Sequence, residues 1–360
     1  MRLTGILSET WRNYVRGASH PLALALAVFA VIVIPAELEM STTADLIHRT
    51  RDYEQAYAST YLINAPAGID PTGCEKLATT GLVSAAGALR TDRSVSLTVL
   101  PAQNLPVYGA TPGFLHLVGI SPDVARATGA VAVATELWDT LRPPGHSQRP
   151  TDPVPIPPLT IADAYPWPAD GRTPTLGSAV LAPTPPVGPF DQCWARAEDP
   201  TTDPRWLLPA VLLPGTDANQ VRQAQVNLTL GQLLDTPTQF TTRPTQRAPY
   251  IAALATLLLA AVATWTRRIH IADTRELGLP TLSSIIAQNL EALTWALTGT
   301  ALAIPALFWR AHHHSPPDQH DLINLTIPIL TATLTTTLLA TTLTTLLSRR
   351  RPVTDHLRTR

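Results

Sequence analysis

The chain has 360 residues, of which 15% are charged and 45% hydrophobic, and its formal net charge is −1. Charge this low and this balanced excludes a protein that holds nucleic acid through bulk positive surface. The averages alone would allow a soluble two-domain protein, so the clustering of residues along the chain decides the class.

Residues 1–18 open with Leu3, Leu7, Trp11 and Val15 at four-residue spacing, while Arg2, Glu9, Arg12, Asn13 and Arg16 fall off that stripe. The pattern predicts an amphipathic helix lying in a membrane interface, with Trp11 and Tyr14 at headgroup depth. An apolar run follows over 21–38 and passes into Glu37 and Glu39 with no small-residue cleavage site, so it is expected to stay attached as a first crossing. Residues 39–57 are compatible with a helix that continues outward.

Residues 39–248 are read as an extracytoplasmic domain that mixes strands and helices. Strands are expected at Ser59–Asn64, Ser94–Leu100, Ala130–Ala134, Gly177–Ala182, Cys193–Arg196 and Ala210–Leu213. Asp70 is placed to cap a short helix through Cys74 and Leu77; short helices are also expected at Pro112–Gly119, Val124–Ala127 and Glu136–Leu141, with Val221–Leu234 compatible with another. Between them, 142–189 holds many of the chain's 35 prolines, which excludes long regular elements and suits a linker or a strand-and-loop subdomain.

The uncharged run 249–266 is a second crossing, since at about 1.5 Å per residue it matches a hydrocarbon layer of roughly 30 Å. A polar loop at 267–284 separates it from a third crossing at 285–309. A short loop at 310–322 leads to a fourth crossing at 323–347 and a basic tail at 348–360. The predicted fold class is therefore a membrane α-helical protein with four transmembrane helices in a 1+3 arrangement, and a large α+β domain between the first and second.

Arginines mark one side: Arg2, Arg12 and Arg16, then Arg267, Arg268 and Arg275, then Arg349, Arg350, Arg351, Arg358 and Arg360, against Arg310 alone beside the opposite short loop. The positive-inside tendency thus assigns both termini and 267–284 to the cytoplasm, where anionic membrane lipids are the expected partners. The outer stretch from Glu37 to Arg247 carries 20 acidic and 14 basic residues, which argues against nucleic acid there as well. Arginine far outnumbers lysine, which occurs only at Lys76, and this bias suggests a GC-rich bacterial genome; the expected location is a bacterial plasma membrane. Cys74 and Cys193 are the chain's two cysteines, and an even pair in an oxidising compartment predicts a disulfide.

The chemical inventory is mostly one of absences. A P-loop needs Gly-Lys-Ser/Thr, and Lys76 follows Glu75; HExxH and GxSxG motifs and zinc-finger spacings are missing too. No catalytic residue, resident metal or cofactor is expected, and energy input falls to a partner. Glu291 lies about six residues inside the third crossing, where a central carboxylate costs on the order of 3 kcal/mol. It either makes an interhelical or gating contact or reaches back to water. His312, His313, His314 and His320 can in principle hold a metal with Asp318 and Asp321, although the irregular spacing suits a solvated polar turn better. The threonines of the fourth crossing can return their hydroxyls to the preceding turn, which favours helix packing over a polar path.

Thr274–Pro280, TRELGLP, followed by Leu282 and then Glu291-Ala292-Leu293, resembles the cytoplasmic segment of the MacB/FtsX-like permeases, the mechanotransmission class of ABC transporter membrane subunits. Arg275, Leu277, Gly278 and Glu291 match that pattern, whereas Thr274, Glu276 and Pro280 depart from its commonest form. ETWRNYVRG before the first crossing and VYGATPGFLHLVG and GAVAVATELWDTL in the outer domain are weaker echoes. The resemblance implies a permease without its own ATPase, paired as a homodimer or with a paralogue. It implies contact with a separate cytoplasmic ABC ATPase, which holds ATP and Mg, through Arg275, Glu276, Leu277, Gly278, Leu279 and Pro280. Peptides, lipoproteins or antibiotics are the implied cargo, or else there is no cargo and an outer enzyme is regulated. The competing expectation is a membrane-anchored sensor or scaffold whose outer domain binds a ligand or a cell-wall enzyme.

Overall fold

The computed structural model describes residues 20–97, 100–126, 129–143, 146–147, 149–150, 152–267 and 280–347. The expected N-terminal helix, the basic tail and most of the loop at 267–284 lie outside these residues. The chain divides into two compact units, a helical one and a sheet one, the latter comprising His48–Thr236.

Within the helical unit, four helices are long and apolar enough to cross a membrane. They are α1 (Pro21–Gln55), whose last residues belong to the sheet unit, α7 (Ala248–Thr266), α8 (Thr281–His314) and α10 (Ile327–Leu347), with the short α9 (Gln319–Asn324) before the last. Their burial is inverted relative to a water-soluble bundle. The buried positions of α7 are Ala248, Ala252, Thr256, Ala260 and Thr264, four residues apart on one face, while Leu254, Leu257, Leu258 and Val262 point outward. On α10 the buried set includes Thr333, Thr337, Ala340, Thr341 and Thr345, and Leu339, Leu343 and Leu347 are exposed. Small residues let helix backbones approach closely where lipid, rather than water, surrounds the bundle. Gly299 of α8 is the extreme case, since a Cβ there would meet the carbonyl oxygen of Ala25 on α1 at 2.5 Å. The arrangement is that of a multi-pass membrane protein.

The sheet unit is built on one nine-stranded mixed sheet, in the order β5-β6-β4-β7-β3-β2-β8-β1-β9. Its strands are β1 (Thr60–Ile69), β2 (Val83–Leu97), β3 (Leu100–Ala110), β4 (Ala130–Ala134), β5 (Val154–Ile156), β6 (Leu159–Tyr165), β7 (Val180–Pro183), β8 (Phe190–Ala197) and β9 (Arg222–Gln225). The β3–β7 and β4–β6 pairs are parallel and the rest antiparallel. Strand alternation sorts β8 between two cores: Cys193 and Ala195 join Ile63 and Phe190, whereas Trp194 packs with Phe114 and Trp167. Four short helices decorate the sheet: α2 (Pro71–Lys76), α3 (Pro112–Leu117), α4 (Pro122–Arg126) and α5 (Thr135–Leu141). Asp70 caps α2 as its sequence suggests, its Oδ1 accepting the Thr72 N–H at 3.0 Å. Gly87 of β2 is required because a Cβ would lie 1.9 Å from the Phe114 nitrogen at the start of α3.

The proline-rich stretch supplies β5, β6 and β7 to this one sheet. Arg149 in its first loop pairs with the buried Asp163 of β6, Nε to Oδ1 at 2.5 Å and Nη2 to Oδ2 at 2.7 Å, and also donates to the Gly119 carbonyl. That carboxylate holds the Arg149 guanidinium pKa above its usual value.

Two local expectations are corrected. Ala210–Leu213 is not a strand, because a 3-10 helix runs over Pro204–Val211, started by Asp203 accepting the Arg205 N–H at 3.0 Å; only Leu212 makes an isolated bridge, to Ile69. Val221–Leu234 is not a helix either. Its Arg222–Gln225 segment pairs antiparallel with β1, and the Gln225 side chain donates to the carbonyls of Ala58 and Gly231. The segment before α7 contains the short helix α6 (Thr236–Thr242) and a 3-10 turn at Pro244–Arg247.

Cys74 of α2 and Cys193 of β8 are joined, with their Cα atoms 5.8 Å apart. Tyr61 and Tyr165 are buried and donate to the carbonyls of Gln232 and Leu176, each at 2.8 Å. Burial raises both phenol pKa values well above the ordinary one. The folded state therefore keeps protons that an unfolded chain releases above about pH 10. Stability of the sheet unit is expected to hold up to that point and fall as pH rises further, read by circular dichroism together with tyrosinate absorbance. Ionisation of all seven tyrosines before any loss of structure would contradict it.

Candidate functional site

The expected coupling residues Arg275, Glu276, Leu277, Gly278 and Leu279 lie outside the described residues; the two ends of their segment do not. On one side α7 finishes at Thr266, and the Arg267 N–H closes it by donating to the Thr264 carbonyl at 3.2 Å. On the other side Pro280 sits at the N-cap of α8, in extended conformation. A proline there is suited to the start of a helix, because its fixed φ and missing N–H cost nothing at a terminus.

Glu291 lies close to three turns into α8 and is 5% exposed. Its Oε1 meets the Arg267 guanidinium, whose side chain is 20% exposed against 7% for the carboxylate. The pair thus joins α7 to α8 and closes the segment between them at its base. Two residues earlier on α8, Asn289 makes a second tie, with its Nδ2 donating to Thr342 Oγ1 at 2.9 Å and its Oδ1 accepting from Thr341 Oγ1 at 2.7 Å. This neutral network binds α8 to α10. Arg267 and Asn289 went unrecognised as partners in the sequence; the signal was the polar pair Gln288 and Asn289 inside the same apolar run as Glu291.

The threonines of α10 act as packing residues. Thr333, Thr337 and Thr345 donate to the carbonyls of Ile329, Thr333 and Thr341, four residues back, at 2.6–2.8 Å. Hydroxyls satisfied in this way within their own helix need no water.

The other polar cluster of the helical unit links the middle of α1 to the end of α8 and to Arg243. Glu37 accepts from Arg310 Nη2 at 2.5 Å and lies 2.9 Å from His314 Nε2, and Glu39 pairs with Arg243 Nε at 2.8 Å. His312, His313 and His314 form the last turn of α8 rather than an open loop, and the His313 ring stacks on Trp309 with centroids 5.9 Å apart. Among the described residues, no three His, Cys, Asp or Glu side chains converge as metal ligands.

In the sheet unit the strongest polar assembly surrounds the end of α1. Arg172 donates to the Gln55 carbonyl at 2.7 Å and Asn227 to that of Ala56 at 3.2 Å, so the carbonyls left open at the helix terminus are satisfied by side chains. The guanidinium groups of Arg172 and Arg196 lie 4.7 and 4.6 Å from the Tyr57 ring centre, and Tyr57 adopts φ 58°. The end of α1 is therefore fastened to the sheet unit by charge-assisted bonds rather than left to fray.

No family model matches the chain, and no curated protein matches it in sequence.

Proposed function

We propose that the chain is the membrane permease subunit of an ABC transporter complex, coupling ATP hydrolysis in a separate cytoplasmic ATPase to movement of the sheet unit. The observation that carries this reading is α1, a single unbroken helix of 35 residues that begins among the membrane-type helices and ends fastened within the sheet unit. An anchor needs neither that continuity nor three further apolar helices. A mechanical linkage needs both, because a continuous helix carries force along its axis, and Pro35 inside α1, which lacks an N–H for the ladder, is the point at which that helix can bend.

Support for the other end of the linkage comes from Arg267 and Glu291, which brace the segment that the resemblance assigns to ATPase contact. On this reading Arg275 to Pro280 form the contact, both termini are cytoplasmic, and a homodimer or a pair with a paralogue does the work on a peptide, lipoprotein or antibiotic-like substrate. No chemistry is asked of the permease itself: it binds, transmits and returns.

The test is purification of the full chain from its native membrane in mild detergent. A polypeptide bearing a P-loop, with ATPase activity that the permease alters, is expected to accompany it. Arg275→Glu with Glu276→Arg is expected to reduce that recovery at least tenfold while leaving folding unchanged. A complex fully active without any such ATPase would establish the sensor or scaffold instead.

A further inference from the structure

Beside the Arg267–Glu291 pair lies a half-open cavity of about 220 Å³, at the end of the bundle where α1 begins and α7 finishes. Its polar wall is made by Arg267, Glu291, Gln288 and Thr341, with Trp295 also lining it and His20 exposed at the start of α1. Its apolar wall is Leu24, Leu259 and Val262. Helix termini are where lipid headgroups meet a membrane protein, so an amphiphile is the ligand class to which such a mixed cavity is open.

The charges narrow that class. A purely anionic headgroup would gain Arg267 but would sit against the buried Glu291 carboxylate, and a hydrocarbon tail alone would leave the polar wall without a partner. A headgroup with one phosphate and one primary ammonium can lie antiparallel to the Arg267–Glu291 pair without separating it, phosphate toward the guanidinium and ammonium toward the carboxylate. We propose that this cavity binds a zwitterionic phospholipid headgroup carrying a free primary amine, as in phosphatidylethanolamine. The phosphate is received by Arg267 and Gln288, the ammonium by Glu291 and the Trp295 ring, and an acyl chain lies along Leu24, Leu259 and Val262. An ammonium with its hydrogens donates to the carboxylate, and its charge is also attracted to an indole face. Trimethylation removes the donors to Glu291 and enlarges the group, so choline lipids are expected to bind more weakly. This inference requires only that the helices are in a membrane, and it stands whether or not the transporter reading does.

The experiment compares lipid retention and thermal midpoint for the full chain in a non-ionic detergent with added phosphatidylethanolamine, phosphatidylcholine or phosphatidylglycerol. The amine lipid is expected to be retained at least tenfold more strongly than either of the others and to be the one that raises the midpoint. Ala263→Phe, which fills the cavity without altering a charge, is expected to abolish that preference. Gln288→Leu, which removes one donor and leaves the packing volume similar, is expected to weaken it and serves should the first variant fail to fold. Leu254→Phe, on an outward position of α7, is expected to change nothing. Soluble phosphoethanolamine forms a further arm and is expected to have no effect without the acyl chain. Equal retention of the amine and glycerol lipids, preference for the glycerol lipid, or undiminished selectivity in both cavity variants would overturn the proposal. Saturable binding of soluble phosphoethanolamine would replace the lipid with a free metabolite and overturn it too.

Discussion

Replacing Cys74 and Cys193 together by alanine is expected to lower the unfolding free energy of the sheet unit by about 4 kcal/mol, the cost of releasing a loop of this size in the unfolded chain. The two residues are separated by 119 positions, so the cross-link spans most of the unit. It also lies in a filled place: Cys74 and Cys193 are both fully buried, beside Ile63, Phe190 and Leu208. Alanine adds the loss of buried sulfur to the loss of the tether, whereas serine would also bury hydroxyls that lack partners. The measurement is denaturant unfolding of the full chain in detergent, oxidised, reduced and doubly substituted, followed by near-ultraviolet circular dichroism. Trp138 and Trp194 report the transition, since both are fully enclosed in the sheet unit. A change below about 1 kcal/mol would mean that the unfolded unit is already compact enough to make the tether redundant.

The parts of this fold that were legible in the sequence are those governed by local rules. An uncharged run such as 249–266 has few alternatives to a membrane-type helix, and α7 occupies Ala248–Thr266. Asp70 followed by Pro71 encodes a cap and a first turn without help from the rest of the chain. Ala130–Ala134 reads as a buried strand because five small apolar residues are bounded by Gly129 and a short helix, and all five are buried. What failed were segments whose structure is imposed from a distance. Val221–Leu234 has helix-compatible spacing, but Gln225 is held opposite Tyr61, and Arg222 opposite Asn64, by a strand far earlier in the chain. Local propensity loses to a ladder of backbone hydrogen bonds and to the use of Gln225 as a buried donor. The site divides along the same line. Glu291 stood out because a carboxylate in an apolar run is expensive, but its partner could not be chosen among the flanking arginines until the helix ends were in place.

Removing either member of that pair is expected to cost more than removing both. Glu291→Gln or Arg267→Gln leaves one charge in a largely buried place without its counter-ion, and the penalty for breaking a buried pair from one side is about 3 kcal/mol or more. The partial exposure of the Arg267 side chain moderates its half, so Arg267→Gln is expected to be the more damaging single change, because it strands the less exposed carboxylate. In the double variant neither charge remains, and its loss of stability is expected to fall below that of either single variant, a coupling of about 3 kcal/mol. Denaturation of the full chain in mixed detergent micelles measures all four corners of this cycle. Additive losses would mean that the two groups do not interact in the membrane-embedded protein. The same four proteins also address function. If the pair braces the base of the coupling segment, the double variant regains stability but not ATPase-coupled activity, since the tie between α7 and α8 is still missing. Recovery of both together would reduce the pair to a packing device, whereas their separation would identify Arg267 and Glu291 as positioning residues, acting through the segment they hold.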